Sequence, residues 1–184
     1  MFIKVCGIKH KTEIDWAIEL GYTAIGVVLY PLSKRFVDKE KAKELALYCK
    51  DKIKSVAVGI EYKDVKDVED FFDYIQISED VNKDNVILSI EEEFDDRTNR
   101  LLIFDKSRGK GNFSTIPEWL DKYKNRIIIA GGLNQENVKN IIEKYKPFGV
   151  DVSSGVEDDA KKSYQKMKKF IEEVFDGYKK NVLW

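Results

Sequence analysis

The chain has 184 residues, 43% of them hydrophobic, which suits one well-formed core better than two, so we expect a single domain over residues 1–184. Its 32 lysines and arginines against 33 aspartates and glutamates leave a formal net charge of -1, which excludes a general attraction to nucleic acid or an anionic membrane. Two cysteines and the lack of a long apolar run exclude a disulfide-rich secreted scaffold and a membrane helix, so we expect a cytoplasmic protein.

Short β-branched runs recur along the chain, and each is followed by a polar or helically patterned stretch. This alternation is typical of repeated βα units around a parallel sheet. We predict eight strands, at Ile3–Cys6, Ala24–Leu29, Ser55–Ile60, Tyr74–Ile77, Val86–Ile90, Leu101–Phe104, Arg126–Ala130 and Gly149–Val152. Eight such strands predict a single-domain (β/α)8 TIM barrel of the α/β class, with a doubly wound open sheet as the alternative.

Apolar residues recur at helical spacing in six of the intervening stretches. We predict helices at Glu13–Leu20, Lys39–Cys49, Val65–Phe72, Pro117–Lys124, Gln135–Tyr145 and Ser163–Phe175. The stretches after strands four and five, Ser78–Asn85 and Glu91–Asn99, are too short or too charged for full helices. We therefore expect a compact barrel in which these two helices are shortened or missing.

Glycine-bearing turns follow the last two predicted strands. Gly131 and Gly132 follow strand seven, and Ser153, Ser154 and Gly155 follow strand eight. Glycine lets backbone N–H groups approach an anion closely, and helix N-termini add partial positive charge. Each turn alone would be ordinary, but the loops after strands seven and eight are the usual phosphate site of this barrel. Together they predict a phosphate site.

Three reactive side chains stand at predicted strand ends or in the loops that follow them. Asp105 ends strand six, where a carboxyl group is a helix cap, a lysine partner or a general acid. Cys6 ends strand one beside Gly7, where a thiol is a small buried hydrophobe or a partly exposed base. Arg35, after strand two, is a solvated charge or a clamp for a substrate carboxylate. No metal-ligand spacing is evident in the sequence.

Four segments, in order along the chain, resemble the phosphoribosylanthranilate isomerase family. They are Lys4–Ile8, Ala24–Val37, Ala130–Val138 and Gly149–Glu157. With gaps in the middle, the resemblance runs from about residue 3 to about residue 175. It implies the same barrel and a cofactor-free Amadori rearrangement of N-(5-phosphoribosyl)anthranilate to 1-(2-carboxyphenylamino)-1-deoxyribulose 5-phosphate in tryptophan biosynthesis.

The resemblance also implies roles by position. Asp105 would be the general acid that opens the furanose ring, Cys6 the general base that takes the proton from C2′, and Arg35 the clamp on the anthranilate carboxylate. The phosphate would be held by Gly109, Gly111, Gly131, Gly132, Ser153, Ser154 and Gly155. Further substrate contacts would come from Gln76 and Asp151.

Some stretches depart from the family's pattern. Strand four continues as Gln76-Ile77-Ser78-Glu79 where the family usually has Gln-Leu-His-Gly. The glycine loop after strand six is eroded at Ser107–Asn112, and the usual glycine and Lys-Asp before the last helix are not evident around Asp158–Ser163. These changes predict weaker closure over a ligand, whereas the acid, the base and the clamp remain.

Two other functions compete with the isomerase. Another phosphate-binding barrel enzyme of tryptophan or histidine biosynthesis would be expected to use a catalytic lysine or a pair of aspartates, and Cys6 with Asp105 fits neither. A non-catalytic phosphosugar-binding barrel would bind the ligand without turnover. The expected partner is a small-molecule phosphosugar, with no cofactor, nucleic acid or membrane, and the protein is expected to be a monomer or a homodimer.

Overall fold

A closed barrel of eight parallel strands forms the centre of the molecule, in a computed structural model that describes residues 1–93, 98–105 and 116–182. The strands follow the chain order, and β1 pairs with both β2 and β8. They are β1 (Phe2–Cys6), β2 (Ala24–Val28), β3 (Lys54–Val58), β4 (Tyr74–Ile77), β5 (Val86–Ile90), β6 (Leu101–Phe104), β7 (Ile127–Ile129) and β8 (Gly149–Val152). The predicted barrel is confirmed, and so are its eight strands, apart from small differences at their ends.

Helices cover much of the outside of the barrel. They are α1 (Lys11–Leu20), α2 (Lys39–Cys49), α3 (Tyr62–Val65), α4 (Val138–Tyr145) and α5 (Tyr164–Val182), with 3₁₀ turns at Glu69–Phe71, Glu118–Tyr123 and Ser154–Val156. A short antiparallel hairpin of β9 (Glu157–Asp158) and β10 (Lys161–Lys162) precedes α5. Within the described ranges, every helix is too short or too polar to cross a membrane.

The predicted helix at Val65–Phe72 is wrong. The carboxylate of Asp64 accepts hydrogen bonds from the backbone N–H groups of Ile60 and Glu61, and this capping box starts α3 at Tyr62. The helix then stops, because Val68 leaves the helical region with φ at -130° and only a 3₁₀ turn follows. The predicted helix is therefore replaced by a four-residue helix that ends at Val65 and a 3₁₀ turn over Glu69–Phe71.

The predicted helix at Pro117–Lys124 is a 3₁₀ turn over Glu118–Tyr123. Its buried side chains, Leu120 and Tyr123, are three residues apart, which matches the three-residue repeat of a 3₁₀ turn. Between β4 and β5, residues 78–85 contain no helix, and neither do the described residues between β5 and β6. The prediction that the helices after strands four and five are shortened or missing is confirmed for these described residues.

The inside of the barrel is apolar in its middle and polar at one end. Its apolar cluster contains one or two small or branched residues from each of several strands: Ala24, Val56, Ile87, Ile103, Ile128 and Ala130. Lys4 is the register partner of both Ala24 and Asp151, so its side chain shares their inward face. The same alternation turns Cys6 inward. Polar groups therefore enter the barrel at its carboxyl end.

Candidate active site

Cys6 is the last residue of β1 and lies at the carboxyl mouth of the barrel, 8% exposed. Its sulfur and Cε of Lys4 both lie about 3 Å from the point where a side chain at Gly26 would begin. Glycine at that position thus leaves the space that both side chains occupy. Burial raises the pKa of the Cys6 thiol above its usual value, and the charge of Lys4 is the strongest influence in the opposite direction.

Lys4 and Asp151 form an ion pair inside the barrel. Nζ of Lys4 donates to Oδ1 of Asp151 over 2.8 Å, and the lysine side chain is fully buried. Burial is the largest single influence and would lower the pKa of Lys4, but Asp151 and Cys6 together outweigh it through their charges and hydrogen bonds, so the pKa lies above the ordinary lysine value. Asp151, which was predicted as a substrate contact, therefore has its carboxylate against Lys4.

Arg35 lies over Gly7 at the edge of the mouth. Its Nε and Nη2 donate to the two carboxylate oxygens of Glu157, each over 2.7 Å. Gly7 has φ of +85°, and a Cβ there would lie 2.3 Å from Cδ of Arg35, so only glycine fits beneath the arginine. A guanidinium group carries five N–H donors, and Glu157 uses two of them. The remaining donors of Arg35 can bind a second carboxylate.

The hairpin before α5 supplies the partners of Arg35. Asp159 and Ala160 form its two-residue turn, both with positive φ, as a type I′ turn requires. This register places Lys162 opposite Glu157, where Nζ donates to Oε1 over 2.6 Å. Burial lowers the pKa of Lys162, and Glu157 opposes that change. Glu157 is thus held between two cations, Arg35 and Lys162.

Sequence reasoning missed Glu157 and Lys162 as members of the site. The family's usual glycine and Lys-Asp pattern is not evident around Asp158–Ser163, yet Lys162 reaches the mouth, where its Nζ donates to the carbonyl of Ser153 over 3.2 Å. The signal that could have identified them is the hairpin, because residues on the same face of its two strands, such as Glu157 and Lys162, lie together. Lys161 is exposed whereas Lys162 is 6% exposed.

The loops after β7 and β8 contact each other at the same mouth. Gly131 and Gly132 have φ of +82° and +77°, and a Cβ at Gly155 would lie 2.0 Å from the carbonyl oxygen of Leu133. On the other side of β8, the hydroxyl of Ser153 donates to the carbonyl of Cys6 over 2.9 Å. The predicted phosphate residues of these two loops therefore lie together, whereas Gly109 and Gly111 lie outside the described residues.

Asp105 and Gln76 complete the mouth on the far strands. Asp105 directly follows β6 and is half-buried. Burial raises the pKa of Asp151, and the neighbouring charge of Asp105 adds to the rise, so the two carboxyl groups are within electrostatic reach. Oε1 of Gln76 is buried with no hydrogen-bond partner among the described residues. Such an acceptor is suited to a donor on a ligand.

The side chains at the mouth include an acid, a thiol and a cation. A carboxyl group and a thiol stand at one mouth, on strands β6 and β1 of the closed barrel, with a cationic clamp at its edge and glycine loops beside it. These groups suit proton transfer on a small anionic ligand. In the described part of the chain, no group of His, Cys, Asp and Glu residues is arranged to hold a metal ion.

Known proteins resemble this chain over nearly its whole length. The family model of N-(5′-phosphoribosyl)anthranilate (PRA) isomerase matches residues 3–173. The N-(5′-phosphoribosyl)anthranilate isomerase of Methanococcus aeolicus is 35% identical, over 95% of this chain and 98% of its own.

Two solved structures share the fold. The phosphoribosyl anthranilate isomerase of Thermotoga maritima superposes with a TM-score of 0.80 and 26% identity, covering 96% of this chain and 99% of its own. A phosphoribosyl anthranilate isomerase in complex with reduced 1-(o-carboxyphenylamino)-1-deoxyribulose 5-phosphate gives a TM-score of 0.76 and 25% identity, with the same coverage.

Proposed function

Because the chain belongs to the N-(5′-phosphoribosyl)anthranilate isomerase family, we propose that it converts N-(5-phosphoribosyl)anthranilate to 1-(2-carboxyphenylamino)-1-deoxyribulose 5-phosphate, a step of tryptophan biosynthesis. The observation that carries the proposal is the position of Cys6 and Asp105 at one barrel mouth, with Asp151 within electrostatic reach of both. An acid and a base held on rigid strand ends can act on two sides of one bound sugar.

Asp105 acts first, as the general acid. Its carboxyl group gives a proton to the furanose ring oxygen, the bond from that oxygen to C1′ breaks, and the nitrogen lone pair forms the C=N bond of a protonated Schiff base. Its position directly after β6 supports this role, because the end of a strand holds the carboxyl group still against the ligand.

Cys6 acts second, as the general base. Its thiolate takes the proton from C2′, the C–H electrons form a C1′=C2′ double bond, and the C=N electrons return to nitrogen. The resulting enolamine tautomerises to the ketone. A thiol is suited to this step because its pKa lies closer to neutrality than that of a serine hydroxyl.

The remaining predicted residues bind the substrate. We assign the anthranilate carboxylate to the free donors of Arg35, and a hydroxyl or amine hydrogen of the substrate to the unpartnered Oε1 of Gln76. The phosphate group lies, in this proposal, against the loops after β7 and β8, where Gly131, Gly132 and Gly155 bring the backbone close.

The compartment follows from the base. Cys6 must stay a free thiol to accept a proton, and both cysteines of the structure are unpaired. A reducing compartment protects such a thiol, so we assign the protein to the cytoplasm.

The first experiment is the loss of anthranilate-type fluorescence when purified protein meets freshly made phosphoribosylanthranilate. We expect turnover by the wild type and a fall of kcat by a factor of about 10²–10⁴ in Asp105→Asn, since general acid catalysis contributes about that much. Asp84→Asn is the matched control, because Asp84 lies on an exposed loop between β4 and β5. Circular dichroism checks that both variants keep the fold.

A folded wild type that binds the reduced product analogue without turnover contradicts the proposal and supports a non-catalytic phosphosugar-binding barrel. Full activity of Asp105→Asn removes Asp105 from the mechanism while leaving the isomerase in place.

A further inference from the structure

Lys4 is a fully buried lysine inside the barrel, where an unpaired charge would be costly. Two well-packed apolar side chains often join two strands at least as stably as a buried ion pair does. The position of Lys4 therefore suggests a role for its positive charge besides joining the two strands.

Gly26 defines that position. The missing side chain of Gly26 leaves a space bordered by Sγ of Cys6 at 2.9 Å and by Cε of Lys4 at 3.0 Å from the same point. Cε of Lys4 and Sγ of Cys6 are thus within about 6 Å of each other, with the lysine fully buried and Cys6 8% exposed at the mouth. At such a distance a positive charge lowers the pKa of a thiol, and it opposes the rise that burial causes at Cys6.

We propose that Lys4 is the counter-cation of the Cys6 thiolate, and that Asp151 positions Lys4 for this role. The inference rests on the proposed function, in which Cys6 is the base. The ammonium group of Lys4 keeps its proton throughout, the thiolate becomes a neutral thiol when it takes the C2′ proton, and Asp151 anchors Nζ through the 2.8 Å hydrogen bond.

Other charges also face Cys6, from each element packed around it. Asp151 on β8 opposes the thiolate, whereas Lys162 on β10 and Arg35 after β2 favour it. Both of these distant cations share Glu157, which neutralises much of their charge. Lys4 remains the strongest influence that lowers the pKa of Cys6 against the rise caused by burial.

The two members of the pair make opposite predictions. Lys4→Met removes the positive charge, so the pKa of Cys6 should rise by about one unit or more. Asp151→Asn removes the negative charge and keeps the lysine, so the pKa of Cys6 should fall. A purely structural pair, or general damage to the fold, gives no reason for shifts of opposite sign.

The measurement is the pH titration of the Cβ chemical shift of ¹³C-labelled cysteine, in proteins that also carry Cys49→Ala so that Cys6 is the single thiol. Lys54→Met is the matched control, because Lys54 also pairs with an aspartate, Asp73, but does so in solvent at the amino end of β3. We expect its Cys6 titration to equal that of the parent protein.

An unchanged midpoint in Lys4→Met, or shifts of the same sign in both variants, overturns the proposal. If Lys4→Met does not fold, Lys4→Gln takes its place with the same expected rise, because the loss of the charge of Asp151 would by itself lower the midpoint in Asp151→Asn. The titration needs no substrate. Opposite shifts of the Cys6 midpoint in a protein without turnover would refute the isomerase function and support the role of Lys4. Turnover with unchanged midpoints would support the isomerase function and refute the role of Lys4.

Discussion

Cys6 and Lys4 show how much of the site a sequence reveals at the level of single residues. The thiol was predicted as the base because it ends a strand beside a glycine and matches a family motif. Lys4 was overlooked, although residues two apart on a strand share a face, because a lysine is normally solvated. Its pairing with Asp151 follows only from the closure of β1 against β8, which no local pattern encodes.

Gly7 leaves the space in which Arg35 lies, and Gly7→Ala tests whether this position of Arg35 matters for substrate binding. The variant forces a side chain into a positive φ and against the stem of Arg35, which must move. We expect a rise in KM for phosphoribosylanthranilate of about 10-fold, equal to about 1.4 kcal/mol of binding, together with a lower melting temperature. Steady-state kinetics and thermal unfolding measure the two effects.

Gly21→Ala is the control for this prediction. Gly21 has a similar φ of +91° after α1, but its nearest neighbour lies 3.4 Å away, so only the backbone strain is shared. We expect Gly21→Ala to lower the melting temperature and leave KM unchanged. Equal KM values for Gly7→Ala and the wild type would show that Gly7 does not position Arg35.

At the scale of elements, the hairpin of β9 and β10 is the part of the site that sequence reasoning least anticipated. Two-residue strands give no periodic signal, and the turn residues Asp159 and Ala160 lack the glycine that usually marks a type I′ turn. Long strands such as β5 and the amphipathic α4 were predictable for the opposite reason, since their patterns extend over several residues. Short elements depend on tertiary contacts.

Ala160→Gly should stabilise this hairpin. Alanine at φ of +61° is strained by about 1 kcal/mol, which glycine avoids. For a chain of this size that energy corresponds to a rise in melting temperature of about 2–4 °C. Differential scanning calorimetry measures it.

Ala42→Gly, in the middle of α2, serves as the matched control and should lower the melting temperature, because glycine weakens a helix interior. A drop in melting temperature for Ala160→Gly as well would show that the left-handed backbone of the turn is not strained.

At the scale of the whole molecule, the barrel was the most predictable feature, because eight buried strands each left a β-branched run in the sequence. The shell of helices was less so. Val65–Phe72 has apolar residues at helical spacing but folds as a short helix and a 3₁₀ turn, since a capping box at Glu61 fixes an earlier start. Periodicity reports which side chains are buried, and capping decides where the helix lies.

Acid stability is a property of the whole fold that follows from its ion pairs. Burial alone would raise the pKa values of Asp73 and Glu157. At Asp73 the influence of Lys54 and Ser55 outweighs burial and lowers the pKa. At Glu157 the influence of Arg35 and Lys162 does the same. Because the pKa of each carboxyl group is lower in the folded state, ionisation stabilises the fold at pH values above the unfolded pKa values, which are near 3.8 and 4.5. This stabilisation is lost as the pH falls through the pKa values of the folded state.

We therefore expect the melting temperature to fall steadily between about pH 5 and pH 3, and to fall less steeply in Asp73→Asn, which has one such carboxyl group fewer. Calorimetry over this range measures both slopes. A melting temperature that stays constant down to pH 3 would contradict the assignment.

The pairing of β1 with β8 also has a consequence in time. A ribosome makes Phe2–Cys6 long before it makes Gly149–Val152, so one edge of β1 has no partner until β8 has been made. Unpaired strand edges invite association with other chains. The ring cannot close until β8 has left the exit tunnel, so this edge of β1 stays open to association in the interval between the synthesis of the two strands.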